Sequence, residues 1–187
     1  MAEDDSLPDP GSAPDEPVRA PRPPERRPGR DPRLLASLEA LIRGGFPMAT
    51  FMEVDSLAWS DAGLVLRAPA GPNVNVHGTM FGGSVSALGT LAGWGWIRLE
   101  LDARDMEAEV VVQDETTRFL HPIRGASVAR CLPPGVEALD RFLRTLRGRG
   151  RARLGLRVEI SPEDHPGEGK AGPAAVTEAR FVARRPR

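Results

Sequence analysis

Apolar residues recur along this chain with two different periods, and the changes of period divide it into elements. Leu34, Leu35, Leu38, Leu41 and Ile42 fall on one face of a 3.6-residue repeat, which predicts a short amphipathic helix over residues 33–43. Asp31-Pro32 supplies its start and Gly44-Gly45 its stop. Two strand-like runs follow, Met48 to Trp59 and Gly63 to Ala68, separated by the hairpin signal Ser60-Asp61-Ala62-Gly63. Pro69 to Pro72 ends the second. Further on, Glu107 to Leu120 is rich in valine and threonine and predicts a long strand. It breaks at His121-Pro122 and turns through Arg124-Gly125 into a run from Ala126 to Leu132. Val136, Leu139, Phe142, Leu143 and Leu146 return to the helical period and predict a surface helix over residues 136–147. Two alternating strands, Arg151 to Ile160 and Ala174 to Ala183, close the pattern, with a glycine-rich connection, Ser161 to Pro173, expected to be mobile.

One segment fits neither period. Asn73 to Leu99 opens as a polar loop with Asn73, Asn75 and His77, tightens at Gly82-Gly83, and then carries no charge until Arg98. The run predicts a long helix ending near Asp102. Each glycine inside a helix costs about 1 kcal/mol relative to alanine, so Gly83, Gly89, Gly93 and Gly95 together cost about 4 kcal/mol. Such a helix is expected only where it is buried very close to other backbone. Its apolar length, Gly83 to Ile97, falls short of the roughly 20 residues a membrane span needs. The predicted order is therefore helix, two strands, long helix, two strands, helix, two strands, an α+β arrangement with one buried helix.

The polar loop, double glycine and small-residue helix resemble the central segment of the hotdog-fold acyl-thioesterases. One branch of that family carries Asn-x-x-Gly-x-x-His-Gly-Gly and a carboxylate seven residues after the second glycine. Here the register reads Asn75, Gly78, Phe81, Gly82, Gly83 and Thr90, so Phe81 stands at the histidine position and Thr90 at the carboxylate position. The string is closer to the putative thioesterase domain branch, also found fused C-terminal to acetyltransferase domains. That branch resembles N-x-N-x-x-G-T-x-F-G-G-S with Thr-Leu-x-Gly-Trp-Gly downstream. Phe119 to Gly125, FLHPIRG, is similar to the strand-end motif of the same family. The resemblance implies a curled six-stranded antiparallel sheet around a long central helix, with residues 136–147 as an extra surface helix. It also implies hydrolysis of acyl-coenzyme A or acyl-carrier-protein thioesters by a homodimer or dimer of dimers, the site lying between two protomers.

Thioester hydrolysis needs a polarised carbonyl oxygen and a positioned water. Backbone N–H groups at a helix start lack intrahelical partners and lie at the positive end of the helix dipole. Gly83, with Gly82, is therefore the expected oxyanion donor; the plainer reading is a glycine pair needed for a tight turn. Asn75 stands where the related branch orients the thioester or the water, and equally fits an Asx turn satisfying its own loop. Asn73 reads as the turn residue. His77, Phe81 and Ser84 are expected to contact substrate, with His77 also a candidate general base and Ser84 a candidate helix cap. Thr90 either positions water or bonds back to the Ser86 carbonyl; a hydroxyl has no useful pKa of its own, so it needs a base. A missing carboxylate supplied by the partner protomer has four candidates, Glu107, Glu109, Asp114 and Glu115. His121 and His165 are weaker candidates. Trp94 and Trp96 face an acyl tunnel or simply pack, and a buried helix favours packing. The alternative function is a non-catalytic acyl-thioester binding or regulatory module.

Composition narrows these readings. The net charge of -1 does not point to nucleic acid, and no nucleotide fingerprint or metal-ligand spacing is present, so no cofactor and no metal are expected. Cys131 is the only cysteine. It reads as a buried inert thiol in a reducing cytoplasm. Arg141, Arg144, Arg147, Arg149, Arg151 and Arg153 form either a solvated face or a patch for the phosphates of coenzyme A or an acidic carrier. Residues 1–32 hold nine of the 19 prolines and, among aliphatics larger than alanine, only Leu7 and Val18. They read as a disordered tail preceding one domain over residues 33–187, and no signal peptide or membrane span is expected. Removing residues 1–32 is expected to leave the thermal midpoint and the dimer unchanged within error. Loss of the dimer in size-exclusion chromatography would show instead that the arm wraps the partner.

Overall fold

A computed structural model describes residues 31–164 and 172–186. The tail up to residue 30 and His165 lie outside the described residues, as does most of the glycine-rich connection. Helix α1 runs Pro32–Gly45, with Pro32 pre-set for a first helical residue and the Asp31 carboxylate accepting the Arg33 N–H at 2.9 Å. Asp31 and Pro32 thus belong to the folded unit. A cut after residue 32 removes a cap worth about 1 kcal/mol, and a cut before Asp31 isolates the tail.

The expected strand from Met48 is corrected by Pro47, which starts a five-residue helix, α2 (Pro47–Phe51). Glu53 then takes a positive φ of 54° and reverses the chain, so strand β1 covers only Asp55–Ser60. It pairs antiparallel with β2 (Gly63–Ala68) through a tight turn at Asp61-Ala62. The long helix α3 spans Gly82–Asp102. Strand β3 (Glu109–Phe119) leads into β4 (Ser127–Leu132), followed by α4 (Val136–Arg149), β5 (Arg151–Pro162) and β6 (Ala175–Arg184). The six strands make one antiparallel sheet in the order β1-β2-β4-β5-β6-β3.

Strand β5 extends past the end of β4, whose register stops at Leu132 opposite Arg157. Helix α4 lies against β5 and buries Leu139, Phe142, Leu143 and Leu146. Helix α3 contacts five of the strands, and its buried residues cover all sides but the stripe of Ala87, Thr90, Trp94 and Arg98. A helix apolar over so much of its circumference is a core helix.

The glycines of α3 make this burial possible, although their neighbours are side chains rather than the backbone expected from sequence. A Cβ at Gly89 would stand 2.5 Å from Thr177 Oγ1 of β6, and one at Gly93 2.7 Å from the Phe181 ring. At Gly95 it would meet Leu64 of β2 and Leu38 of α1 at 3.0 and 3.2 Å. Phe181 is fully buried, so an added methyl would have to displace its ring. Gly93→Ala should therefore destabilise by about 1–3 kcal/mol of overpacking, outweighing the roughly 1 kcal/mol of helix propensity it gains. Gly44→Ala, where a Cβ meets nothing within 4 Å, should raise stability by about 0.5–1 kcal/mol. Urea titration of the two variants checks both signs.

Candidate active site

Three strands of structure converge on α3. The first is the loop that delivers its N-terminus. Asn73 is buried, and its side-chain N–H donates to the Met52 and Pro69 carbonyls at 2.8 and 2.9 Å. It ties the loop to the ends of α2 and β2. The Phe81 N–H donates to the Asn73 carbonyl at 2.7 Å, and Val74 bridges Met80, which closes the loop at its base. Asn75, not Asn73, makes the Asx turn. Its Oδ1 accepts the His77 N–H at 2.8 Å, and its amide donates to Thr79 Oγ1 at 3.0 Å. His77 is exposed at the tip.

Phe81 is the N-cap of α3, and among the described residues no side chain caps this end. Ser84 consequently sits inside the first turn and is not a cap. The Val85 N–H reaches the Phe81 carbonyl at 3.0 Å, leaving the amides of Gly82, Gly83 and Ser84 without an intrahelical acceptor. Neither Gly82 nor Gly83 has a positive φ, so a left-handed turn does not explain the pair. Bare space does. A Cβ on Gly83 would lie 2.4 Å from the Phe81 ring, and one on Gly82 3.4 Å from the Phe119 ring. Phe81 and Phe119 are both more than half exposed, so the two rings flank the helix start without sealing it.

Thr90 lies on the third turn of α3. Its Oγ1 stands 3.0 Å from the Ser86 carbonyl and also contacts Glu115 Oε2 of β3, within the same chain. Of the other acids expected as candidates, Glu109 binds Arg184 at 2.7 Å and Asp114 lies 3.8 Å from Arg180. Glu107 lies ahead of β3 and is exposed.

The third feature is a cavity of about 670 Å³ between α1, α2, α3 and β3, within the range of small-molecule sites. Phe46, Met48, Met52, Leu91, Trp94 and Val110 line it, with Thr90 in its wall. Trp94 thus faces the cavity, correcting the expectation of plain packing. Its Nε1 donates to the Val110 carbonyl at 3.0 Å and its ring meets Phe46 edge-on, centroids 4.7 Å apart. Trp96 is buried and packs. The Arg98 guanidinium at the cavity edge is taken up by Asp102 and the Ala108 carbonyl. A hydrocarbon chain suits such walls. Met48 and Met52 are not legible as site residues in a segment whose pattern predicts a strand, and Phe46 lies in the connection before it; Pro47 is the available signal.

Cys131 is fully buried, and burial, with the nearby Glu100 carboxylate adding to it, pushes its thiol up. The thiolate a nucleophile requires is thereby disfavoured. Among the described residues no group of three or more His, Cys, Asp or Glu side chains converges as metal ligands do.

Residues 35–185 match the family described as "Putative thioesterase (yiiD_Cterm)". The chain belongs to that family. Its fold is that of the hotdog thioesterases. A protein of unknown function from Chlorobaculum tepidum is 24% identical, with a TM-score of 0.78 over 83% of this chain and 96% of that one. A "putative thioesterase" from Shewanella oneidensis is 26% identical, with a TM-score of 0.71 over 83% of this chain and 100% of that one. A thioesterase from Haemophilus influenzae is 20% identical, with a TM-score of 0.57 over 81% and 90%. Among the described residues of this thioesterase-family chain no helix is long and apolar enough to cross a membrane.

The loop geometry separates the two asparagines. Asn73→Ala should strip the Met52 and Pro69 carbonyls of their buried donor and lower stability by about 1–3 kcal/mol. Asn75→Ala should leave the denaturation midpoint near wild type, because its partners lie at a half-exposed loop tip.

Proposed function

We propose that this protein hydrolyses acyl thioesters of coenzyme A or an acyl carrier protein, as a homodimer in the cytoplasm. The observation that carries the reading is the placement of Thr90. It stands in the wall of an apolar cavity fit for an acyl chain, on the same helix whose uncapped first amides can receive an oxyanion. Donors of this kind act strongly because they are fixed in place before charge develops on the carbonyl oxygen. Gly82 and Gly83 supply them. Asn75 contributes by holding the loop that leads into them, and Phe81, Ser84 and His77 border the approach.

One chain is insufficient for this chemistry. Gly83 and Thr90 are seven residues apart on α3, which at 1.5 Å per residue is about 10 Å. A thioester carbon cannot lie within bonding reach of both. A second copy related by a two-fold axis brings its own helix start toward Thr90. Strand β3 supports this arrangement, since among the described residues it is the sheet edge opposite β1 and pairs only with β6. An 11-residue edge with free N–H and C=O groups is a template for another strand. Exposed Val111, Val112, Phe119 and Leu120 give the second copy apolar surface to cover.

Thiol release from a panel of acyl-coenzyme A and acyl-carrier substrates is the expected outcome with purified protein. Tight binding without release would mark a binding module instead. The arginine cluster provides a further test. Arg141, Arg144 and Arg147 are exposed on α4, and Arg151 and Arg153 follow on β5, Arg153 bound to Gln113 at 2.9 Å. If this face attracts phosphates, added salt should weaken binding, because exposed charges are screened beyond about 10 Å at 0.1 M. Replacing Arg141, Arg144 and Arg147 with glutamine should then raise KM far more than it alters kcat. Unchanged kinetics at low salt would leave the cluster as a solvated face.

A further inference from the structure

We infer that Glu115 is the general base of this site, a carboxylate carried on β3 instead of on the central helix and aimed at Thr90 by a β-bulge. The inference rests on the hydrolase reading above. Opposite residues of an antiparallel pair share a face of the sheet, so the register of β3 on β6 fixes where each side chain points. Val112 lies opposite the buried Phe181, Asp114 opposite the exposed Arg180, and Glu115 opposite the buried Ala179. Gln113 is the extra residue between them. Were Gln113 paired regularly with Arg180 instead of bulged, strict alternation from Val112 would turn Asp114 inward and Glu115 outward. The bulge shifts the phase by one and delivers Glu115 to α3, the re-aiming that bulges beside active sites perform.

Thr90 occupies the helix position seven residues after Gly83, and the carboxylate that meets it comes from the neighbouring strand. Among the described residues Glu115 is not in an ion pair, whereas Glu109 and Asp114 are each matched to an arginine. A carboxylate has about four acceptor sites, and Thr90 takes one. The rest are open to water, since Glu115 is exposed in the single chain.

The Thr90 hydroxyl can hold this carboxylate in both of its protonation states. Its single proton goes to Glu115 while the carboxylate is ionised. Once Glu115 has taken a proton it can donate to Thr90 Oγ1, whose own proton then turns to the Ser86 carbonyl 3.0 Å away. In the reaction Glu115 removes a proton from water as the water oxygen bonds to the thioester carbon. The C=O pair moves onto oxygen, which the helix-start amides receive. Collapse of that intermediate breaks the C–S bond, and the leaving sulfur takes the proton from Glu115. The products are a carboxylic acid and a thiol, and Glu115 is again ionised. Thr90 is a positioning residue in this scheme.

Glu115→Gln is the deciding variant, because an amide oxygen still accepts from Thr90 but cannot take a proton from water. Its kcat should fall by about 10²- to 10⁴-fold, with KM, thermal midpoint and oligomeric state near wild type and the acid limb of the kcat–pH profile gone. Thr90→Val should lower kcat less and keep that limb. In Glu115→Ala, added formate should restore part of the lost turnover. Wild-type turnover in Glu115→Gln would overturn the assignment while leaving the hydrolase reading intact, since a purely structural hydrogen bond survives that change. Absence of thiol release from the wild-type protein across the whole panel would overturn both.

Discussion

The fit of the small-residue surface of α3 inside the sheet is the constraint on which the rest depends. Gly89 against Thr177 and Gly93 against Phe181 set how closely the helix approaches β6. Gly95 admits Leu38 and Leu64 on another side. That closeness fixes the height of Thr90 relative to β3, and Thr117 bonds Thr177 at 2.8 Å across the same strand pair. A helix carrying alanines in these places would stand farther off the sheet, and the contact between Thr90 and Glu115 would open with it. The helix-propensity cost of the glycines is thus offset by packing at interior density.

In the proposed hydrolase the same helix performs two jobs at two places along its length. Its start presents amides that no side chain caps, and its third turn presents Thr90 to an apolar cavity. On that reading, separating the functions by about 10 Å leaves one protomer incomplete, and the long edge of β3 offers the geometry for completion. Glu115, Thr117 and Phe119 lie on the inward face of that same edge strand, so pairing of β3 with a second copy would tie dimerisation to the shape of the site.

The α1–α2 segment completes the cavity. Leu38 and Ile42 anchor α1 in the core, while Phe46 and Met48 line the cavity, Phe46 edge-on to Trp94. Methionine and phenylalanine side chains here form an adaptable apolar wall. The Asn73 tether to the Met52 carbonyl links this wall to the loop before α3, so the cavity and the helix start share one brace.

Periodicity alone was enough for α1, α4 and most strands, and a charge-free apolar run for α3. The stripe of Leu34, Leu38, Leu41 and Ile42, the glycine-interrupted apolar run and the alternation in β5 each have one economical way to bury their apolar atoms, and the structure adopts it. The loop motif and Gly82-Gly83 were legible too, because a polar turn entering a charge-free helix is a local signal. Two decisions were not local. Met48 to Phe51 became helix because Pro47 presets the backbone of a first helical residue. Glu115 turned inward because one extra residue, Gln113, is accommodated between Phe181 and Arg180 of β6. A bulge is a property of two paired strands, and no period within one of them reveals it, so only the tertiary structure decided which of four acids meets Thr90.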